Sequence, residues 1–167
     1  MSLNFTDLKD ADLASAYGDL VSELKRRGII RTKNLVGDLA EYLAIGIYNN
    51  TKGLPNLEKA PAGTKNIDAI GRNGMTYSIK GTTGKTTGVF YGFPPKGDPS
   101  SSPKRFDFVI VVLLDESYRV KRINELTWDC FLQFKRWHIR MNAWNLSINR
   151  KLLNASKTIF DKDSGYP

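Results

Sequence analysis

The sequence predicts one α/β domain over residues 1–167, a central mixed β-sheet flanked by helices, in the order α-α-β-β-β-β-α-β. Three observations predict it. Two stretches with helical apolar spacing open the chain, a glycine-turned pair of alternating strands follows, and Phe106–Asp115 (FDFVIVVLLD) is an unbroken β-branched run of the kind buried on both faces of a sheet. With 167 residues, 41% hydrophobic and 25% charged, the chain has the composition of an ordinary globular domain rather than a disordered or fibrous one.

The first helix is expected over residues 10–27, with Leu13, Tyr17, Leu20, Val21 and Leu24 on one stripe and Gly28 as its stop. That stripe reads as scaffold. The second helix, residues 34–48, repeats the pattern with Leu35, Leu39, Tyr42, Leu43 and Ile47, and Thr32 or Asn34 can cap it. Asp38 and Glu41 fall three apart near one face, where solvent exposure is the ordinary explanation for acids. Residues 49–66, with Gly53, Pro55, Pro61 and Gly63, read as a connection.

Strands are expected at residues 67–71 and 75–81. A three-residue loop with Gly74 in the left-handed position pairs Gly71 with Met75 and so Asp68 with Ser78, whereas a two-residue Asn73-Gly74 turn would pair Asp68 with Ile79. The first register is preferred because it gathers Ile67, Ala69, Tyr77 and Ile79 on one apolar face and leaves Asp68, Ser78 and Lys80 on the other. Thr82–Phe93 is β-prone but glycine-rich, and residues 94–103 (PPKGDPSSSP) read as a mobile loop. After the central strand come a hairpin partner at 118–123, a helix over 127–137 capped by Thr127, and a last strand near 143–148.

Composition excludes several chemistries. One cysteine, Cys130, forms no internal disulfide, and with a single histidine, His138, no Cys/His zinc site can assemble. Any metal must therefore rest on oxygen ligands. The longest apolar run is too short to span a bilayer and the first ten residues lack a signal-peptide pattern, so a cytoplasmic protein is expected. Gly81–Thr87 (GTTGKTT) is not a nucleotide-binding P-loop, because that motif requires glycine where Ile79 stands. The net charge of +8 is uneven: residues 1–84 hold 11 bases and 9 acids, residues 85–167 hold 14 and 8. A basic second half favours a polyanionic partner. Phe131, Phe134 and Trp137 interleave with Lys135, Arg136 and Arg140; the aromatics at helical spacing read as core and the bases as a groove lining.

Glu41 within GDLAEYLA (37–44), Asp68 within NIDAI (66–70) and Lys80 within YSIKGTTG (77–84) together resemble the PD-(D/E)XK nuclease superfamily, in particular restriction-type and related defence nucleases. The resemblance covers residues 34–148 and implies a restriction-endonuclease-like core. It implies that Asp68 is a metal-binding acid, Lys80 the motif lysine and Glu41 the helix-borne acid that many members add. Ser78 stands where the motif acid is expected, and some relatives with a neutral residue there remain nucleases. Phosphodiester hydrolysis needs divalent cations to neutralise developing charge, and Mg²⁺, with Mn²⁺ as substitute, accepts one or two carboxylates plus a backbone carbonyl. Asp68, Glu41 and the carbonyl of Ile79 are the expected ligands, with catalytic positions at Asp68, Lys80, Glu41 and Ser78. The expected activity is metal-dependent cleavage of double-stranded DNA, with Lys85, Lys96, Lys104, Arg105, Lys135, Arg136 and Arg140 along the duplex and a homodimer supplying two sites. Three other readings compete with it: a DNA-binding or regulatory module of the same fold that has lost its metal through Ser78, a plain hairpin in which Lys80 pairs with Asp68 and, more distantly, a small-molecule enzyme of unrelated chemistry.

Overall fold

The computed structural model describes residues 4–164. Helix α1 (Asp10–Arg26) ends as its sequence dictates. Gly28 takes φ 69° and donates its N–H to the Lys25 carbonyl, and Ile29 N–H reaches the carbonyl of Leu24. Helix α2 (Leu35–Asn50) is capped by the Asn34 side chain, which accepts from Gly37 N–H at 3.2 Å. Its buried residues Ala40, Ala44 and Tyr48 recur every four positions, which makes one face that lies against the sheet.

The sheet has six strands in the order β1 (Leu57–Lys59), β2 (Ala69–Gly71), β3 (Thr76–Thr82), β4 (Phe108–Leu114), β5 (Val120–Thr127), β8 (Lys157–Asp161). Only β3 and β4 run parallel. Between β5 and β8 the chain forms α3 (Trp128–Phe134), the ribbon β6 (Lys135–His138) and β7 (Ala143–Leu146), and α4 (Arg150–Ala155). The β2–β3 turn takes the expected three-residue form. Gly74 has φ 81°, Gly71 N–H meets the Met75 carbonyl at 2.8 Å, and Ala69 faces Tyr77.

Strand β4 divides the core in two, as a strand buried on both faces must. Ile110, Val112 and Leu114 join Tyr77, Ile79 and the buried face of α2. Val109 and Val111 face Phe90, Phe106, Phe131, Leu146 and Leu152 on the opposite side. The parallel register sets Ser78 beside Val109 and Lys80 beside Val111, so these two side chains belong to the second face. The crossover between β3 and β4 contains no helix. Its Phe90 and Phe106 pack with Phe131 at centroid distances of 4.7 and 5.2 Å and cover the sheet where a helix would otherwise lie.

Several sequence expectations are corrected here. The connection at 49–66 contains β1, whose three residues are too few to show a period. The helix expected over 127–137 stops at Phe134, although Thr127 caps it by accepting from Cys130 N–H at 3.2 Å. Lys135–His138 pairs instead with β7, and Trp137 meets Trp144 edge-on at 5.1 Å. The last expected strand therefore forms a separate ribbon, and β8 from the tail closes the sheet against β5. Asp38 is buried rather than solvated, with Oδ2 accepting from Arg31 N–H (2.8 Å), Thr32 N–H (2.6 Å) and the Thr32 hydroxyl (3.0 Å). Those bonds hold its carboxyl below the usual range despite burial. Helix α1 buries no residue, so its apolar stripe is not scaffold for this core. Residues 94–103 form neither helix nor strand, as expected. No helix among the described residues is long and apolar enough to cross a membrane.

Helix α2 and strand β3 touch most closely at Gly81, where an added Cβ would crowd the Ala40 methyl and lie 2.8 Å from the Val36 carbonyl oxygen. Replacing Gly81 with alanine must push the two elements apart, and urea denaturation of Gly81→Ala should show a loss of about 2 kcal/mol. Gly84→Ala, whose new methyl meets only the Thr82 hydroxyl at 3.8 Å, should stay within about 0.5 kcal/mol of the parent.

Candidate functional site

Asp68 sits one residue before β2, where the β2–β3 ladder ends. Its backbone N–H still bonds the Tyr77 carbonyl at 2.8 Å, and its side chain then continues the ladder in place of backbone. Oδ2 accepts from Ile79 N–H at 2.7 Å and from the Ser78 hydroxyl at 3.3 Å. Oδ1 accepts none of the hydrogen bonds formed among the described residues. Along a strand the N–H and C=O of one residue point to the same edge. The Ile79 carbonyl therefore faces the side of Asp68, past the last residue pair of β2 and β3.

Ser78 is fully buried beside the carboxylate. A glutamate there would place a second charge where the structure has a small neutral donor, so the departure from the motif acid suits the packing around Asp68. Lys80, two residues on, lies on the same face of β3. Its Nζ stands 5.0 Å from the centroid of the Phe90 ring, and among the described residues no ion pair joins it to Asp68. The plain-hairpin reading, in which Lys80 neutralises Asp68, is not what the geometry holds. Both side chains line one open cavity of about 500 Å³ with Lys65, Asn66, Tyr91 and Arg105.

Glu41 approaches from α2, one residue after the Ala40 contact with Gly81. Its carboxylate lies 3.2 Å from Arg31 and 3.4 Å from Lys59. Arg31 is delivered by the turn that Asp38 ties, and Lys59 by β1, opposite Ala69 in the register. Burial pushes the Glu41 carboxyl above its ordinary value, and the negative charge of Asp68 pushes it further. Lys59 and Arg31 pull the other way without overcoming either. Glu41 and Asp68 thus interact as like charges, but Glu41 is not among the residues that line the cavity Asp68 and Lys80 share.

The donor set suits a hard cation with few protein ligands. Among the described residues no cluster of three or more His, Cys, Asp or Glu side chains converges to hold a metal. Asp68 Oδ1 and the Ile79 carbonyl are oxygen donors of the kind a hard cation such as Mg²⁺ or Mn²⁺ accepts, whereas the Glu41 carboxylate lies outside the cavity lining and is held by Arg31 and Lys59.

The remaining sequence-selected bases are scattered. Arg105 lines the cavity and donates from Nη2 to the Gly92 carbonyl at 3.0 Å, which ties the crossover to the rim. Lys85 and Lys96 are exposed on the crossover. Lys104 pairs with Asp107 at 2.7 Å and lies with Met75 at the far end of β3, roughly 16 Å of strand from Lys80. Lys135 lies over the Trp144 ring at 4.2 Å, and burial lowers its ammonium pKa. Arg136 and Arg140 are exposed on or beside the ribbon. His138 accepts from Met141 N–H through Nδ1, and Cys130 is half-buried with its thiol pushed up by burial, so both have structural surroundings. Sequence reasoning missed Lys59, Arg31, Lys65 and Tyr91. The signal for Lys59 would have been β1 itself.

Compared with protein-family models and with curated proteins, the chain matches none.

The raised Glu41 carboxyl makes folding proton-linked. The folded protein holds this proton more tightly than the unfolded chain, so its contribution to stability is complete below about pH 4.5, the ordinary glutamate value, and is lost as pH rises through the folded midpoint. Carboxyl-detected NMR titration should place the Glu41 midpoint above 4.5, lower it in Asp68→Asn and raise it in Lys59→Met.

Proposed function

We propose that this protein is a metal-dependent DNA endonuclease of the restriction or defence type, hydrolysing phosphodiester bonds in the cavity that β3, the segment before β2 and the β3–β4 crossover enclose. The observation that carries the reading is the cavity shared by Asp68 and Lys80, in which the lysine is not consumed by the aspartate and the Glu41 carboxylate lies within electrostatic reach. The resemblance of GDLAEYLA, NIDAI and YSIKGTTG to the PD-(D/E)XK superfamily supports it at the level of sequence.

In this reading Asp68 Oδ1, the Glu41 carboxylate and the Ile79 carbonyl hold Mg²⁺ or Mn²⁺. Bound there, the cation supplies charge neutralisation at the phosphate and acidifies water. Ser78 and Ile79 N–H orient Asp68 by occupying Oδ2, which keeps Oδ1 directed to the site. Lys80 presents its ammonium to a non-bridging phosphate oxygen and to the attacking water, whose approach it orients. Its position over the Phe90 ring limits its rotamers and keeps the charge on the cavity side of β3. Arg105, Lys65 and the exposed bases of the crossover meet the duplex backbone, where each neutralised phosphate releases counterions. Two copies related by a twofold axis would present two such sites to the two strands.

A second reading has its own observation. Ser78 contributes no charge, and Glu41 already contacts Arg31 and Lys59, so a module that binds DNA without cutting it would use the same fold. Plasmid cleavage separates the two. With Mg²⁺ or Mn²⁺ the wild type should nick or linearise supercoiled DNA, EDTA should abolish cutting, and Asp68→Ala and Lys80→Ala should each fall by about a hundredfold or more. Equal background cutting by all three proteins, with DNA binding retained, would leave the binding module.

A further inference from the structure

We propose that α1 is the self-association element of this protein, pairing antiparallel with α1 of a second copy. The reading rests on the helix surface and not on the nuclease assignment. Leu13, Tyr17, Leu20 and Leu24 succeed one another at intervals of four, three and four residues, the spacing of a two-helix seam. In the folded chain three of these four are exposed and Leu24 is half-buried. Tyr17 is 65% exposed, Leu20 50% and Leu13 44%, and Phe5 and Leu8 beside them are also exposed. No residue of α1 is buried. A 17-residue helix that buries no residue is marginal in water, so a persistent helix with a largely uncovered apolar stripe calls for a cover.

Charge selects the occupant and its direction. Residues 7–12 carry Asp7, Asp10 and Asp12 against Lys9, and residues 23–27 carry Lys25, Arg26 and Arg27 against Glu23. The two ends are therefore opposite in sign and equal in excess. A parallel partner would align like ends; an antiparallel one aligns acidic with basic. When Tyr17 is set against Leu20 of the second copy, Leu13 falls against its Leu24. The helical period then brings Asp10 toward the second copy's Lys25, and Asp12 toward its Arg27, along the flanks of the seam. The arrangement is self-complementary, as a twofold interface requires. Two helices of this length bury less than the roughly 800 Å² per partner of a standard interface, so the association is weak and reversible.

Sedimentation equilibrium of the full chain over a wide micromolar range tests this without reference to cleavage. The wild type should pass from monomer to dimer, and Leu20→Asp should weaken the dimer by about tenfold or more. Asp10→Lys alone and Lys25→Asp alone should each weaken it, whereas the double exchange should bind more tightly than either single variant. That rescue runs against the helix dipole, which both exchanges oppose, so it reports pairing between copies. Far-UV circular dichroism at a fixed, monomeric concentration checks that the core of each variant is folded. A wild type that stays monomeric throughout, a dimer indifferent to Leu20→Asp, or a double exchange no better than the singles would overturn the proposal. Because the readout is mass, cleavage can fail while the dimer stands, and the reverse.

Discussion

The contact on which the site depends is the close approach of α2 to β3 at Ala40 and Gly81. A methyl on one side and a hydrogen on the other let the helix come within reach of the strand backbone, with the Val36 carbonyl just above the glycine. Glu41 follows Ala40 and Lys80 precedes Gly81, so the two residues that make the contact are each next to a candidate site residue. A larger side chain at either position would lift α2 and carry Glu41 away from Asp68. The small residues here are a geometric requirement of the site as much as of the core.

Around that contact the structure places charges with unequal burial. Asp68 is tied through one oxygen to Ile79 N–H and the Ser78 hydroxyl, so its carboxylate replaces a missing strand neighbour and still leaves an oxygen available. Glu41 is raised by burial and by Asp68, and Lys59 and Arg31 only partly compensate. Lys65, Lys80 and Arg105 line the cavity with Asp68 as its one acid, so the cavity carries more positive than negative side chains. Asp38, three residues before Glu41 on the same helix, does unrelated work. It accepts three hydrogen bonds from Arg31 and Thr32 and so sets the turn that brings Arg31 to Glu41.

Legibility followed locality. The Gly71–Met75 turn was readable because a glycine at a positive φ and an alternating apolar pattern agree on one register, and that register carries Asp68 to Ser78. The central strand was readable because a β-branched run has no solvent face to alternate with. The cap Thr127 was readable from its side-chain chemistry, whereas for α2 that chemistry left Thr32 and Asn34 as alternatives and the structure chose Asn34. By contrast β1, β6 and β8 have three to five residues each, too few to show a period, and each exists through a partner distant in sequence or across a turn. The stripe on α1 is amphipathic but lies outside the core, and a periodic pattern shows that a face needs covering and not what covers it.

Apart from Glu41, Asp68, Ser78 and Lys80, which are grouped by the family resemblance, the amino-acid order alone determined the Thr127 cap, the hairpin register and the doubly buried strand. These depend on neighbours within a few residues, where steric and hydrogen-bonding preferences act directly. Tertiary structure decided that Lys80 lies over Phe90 instead of on Asp68, that Ser78 is a buried donor to that carboxylate, and that Lys59 and Arg31 reach Glu41. Each of those outcomes depends on which distant segment arrives at a given face of the sheet, and that is settled by packing across the whole domain.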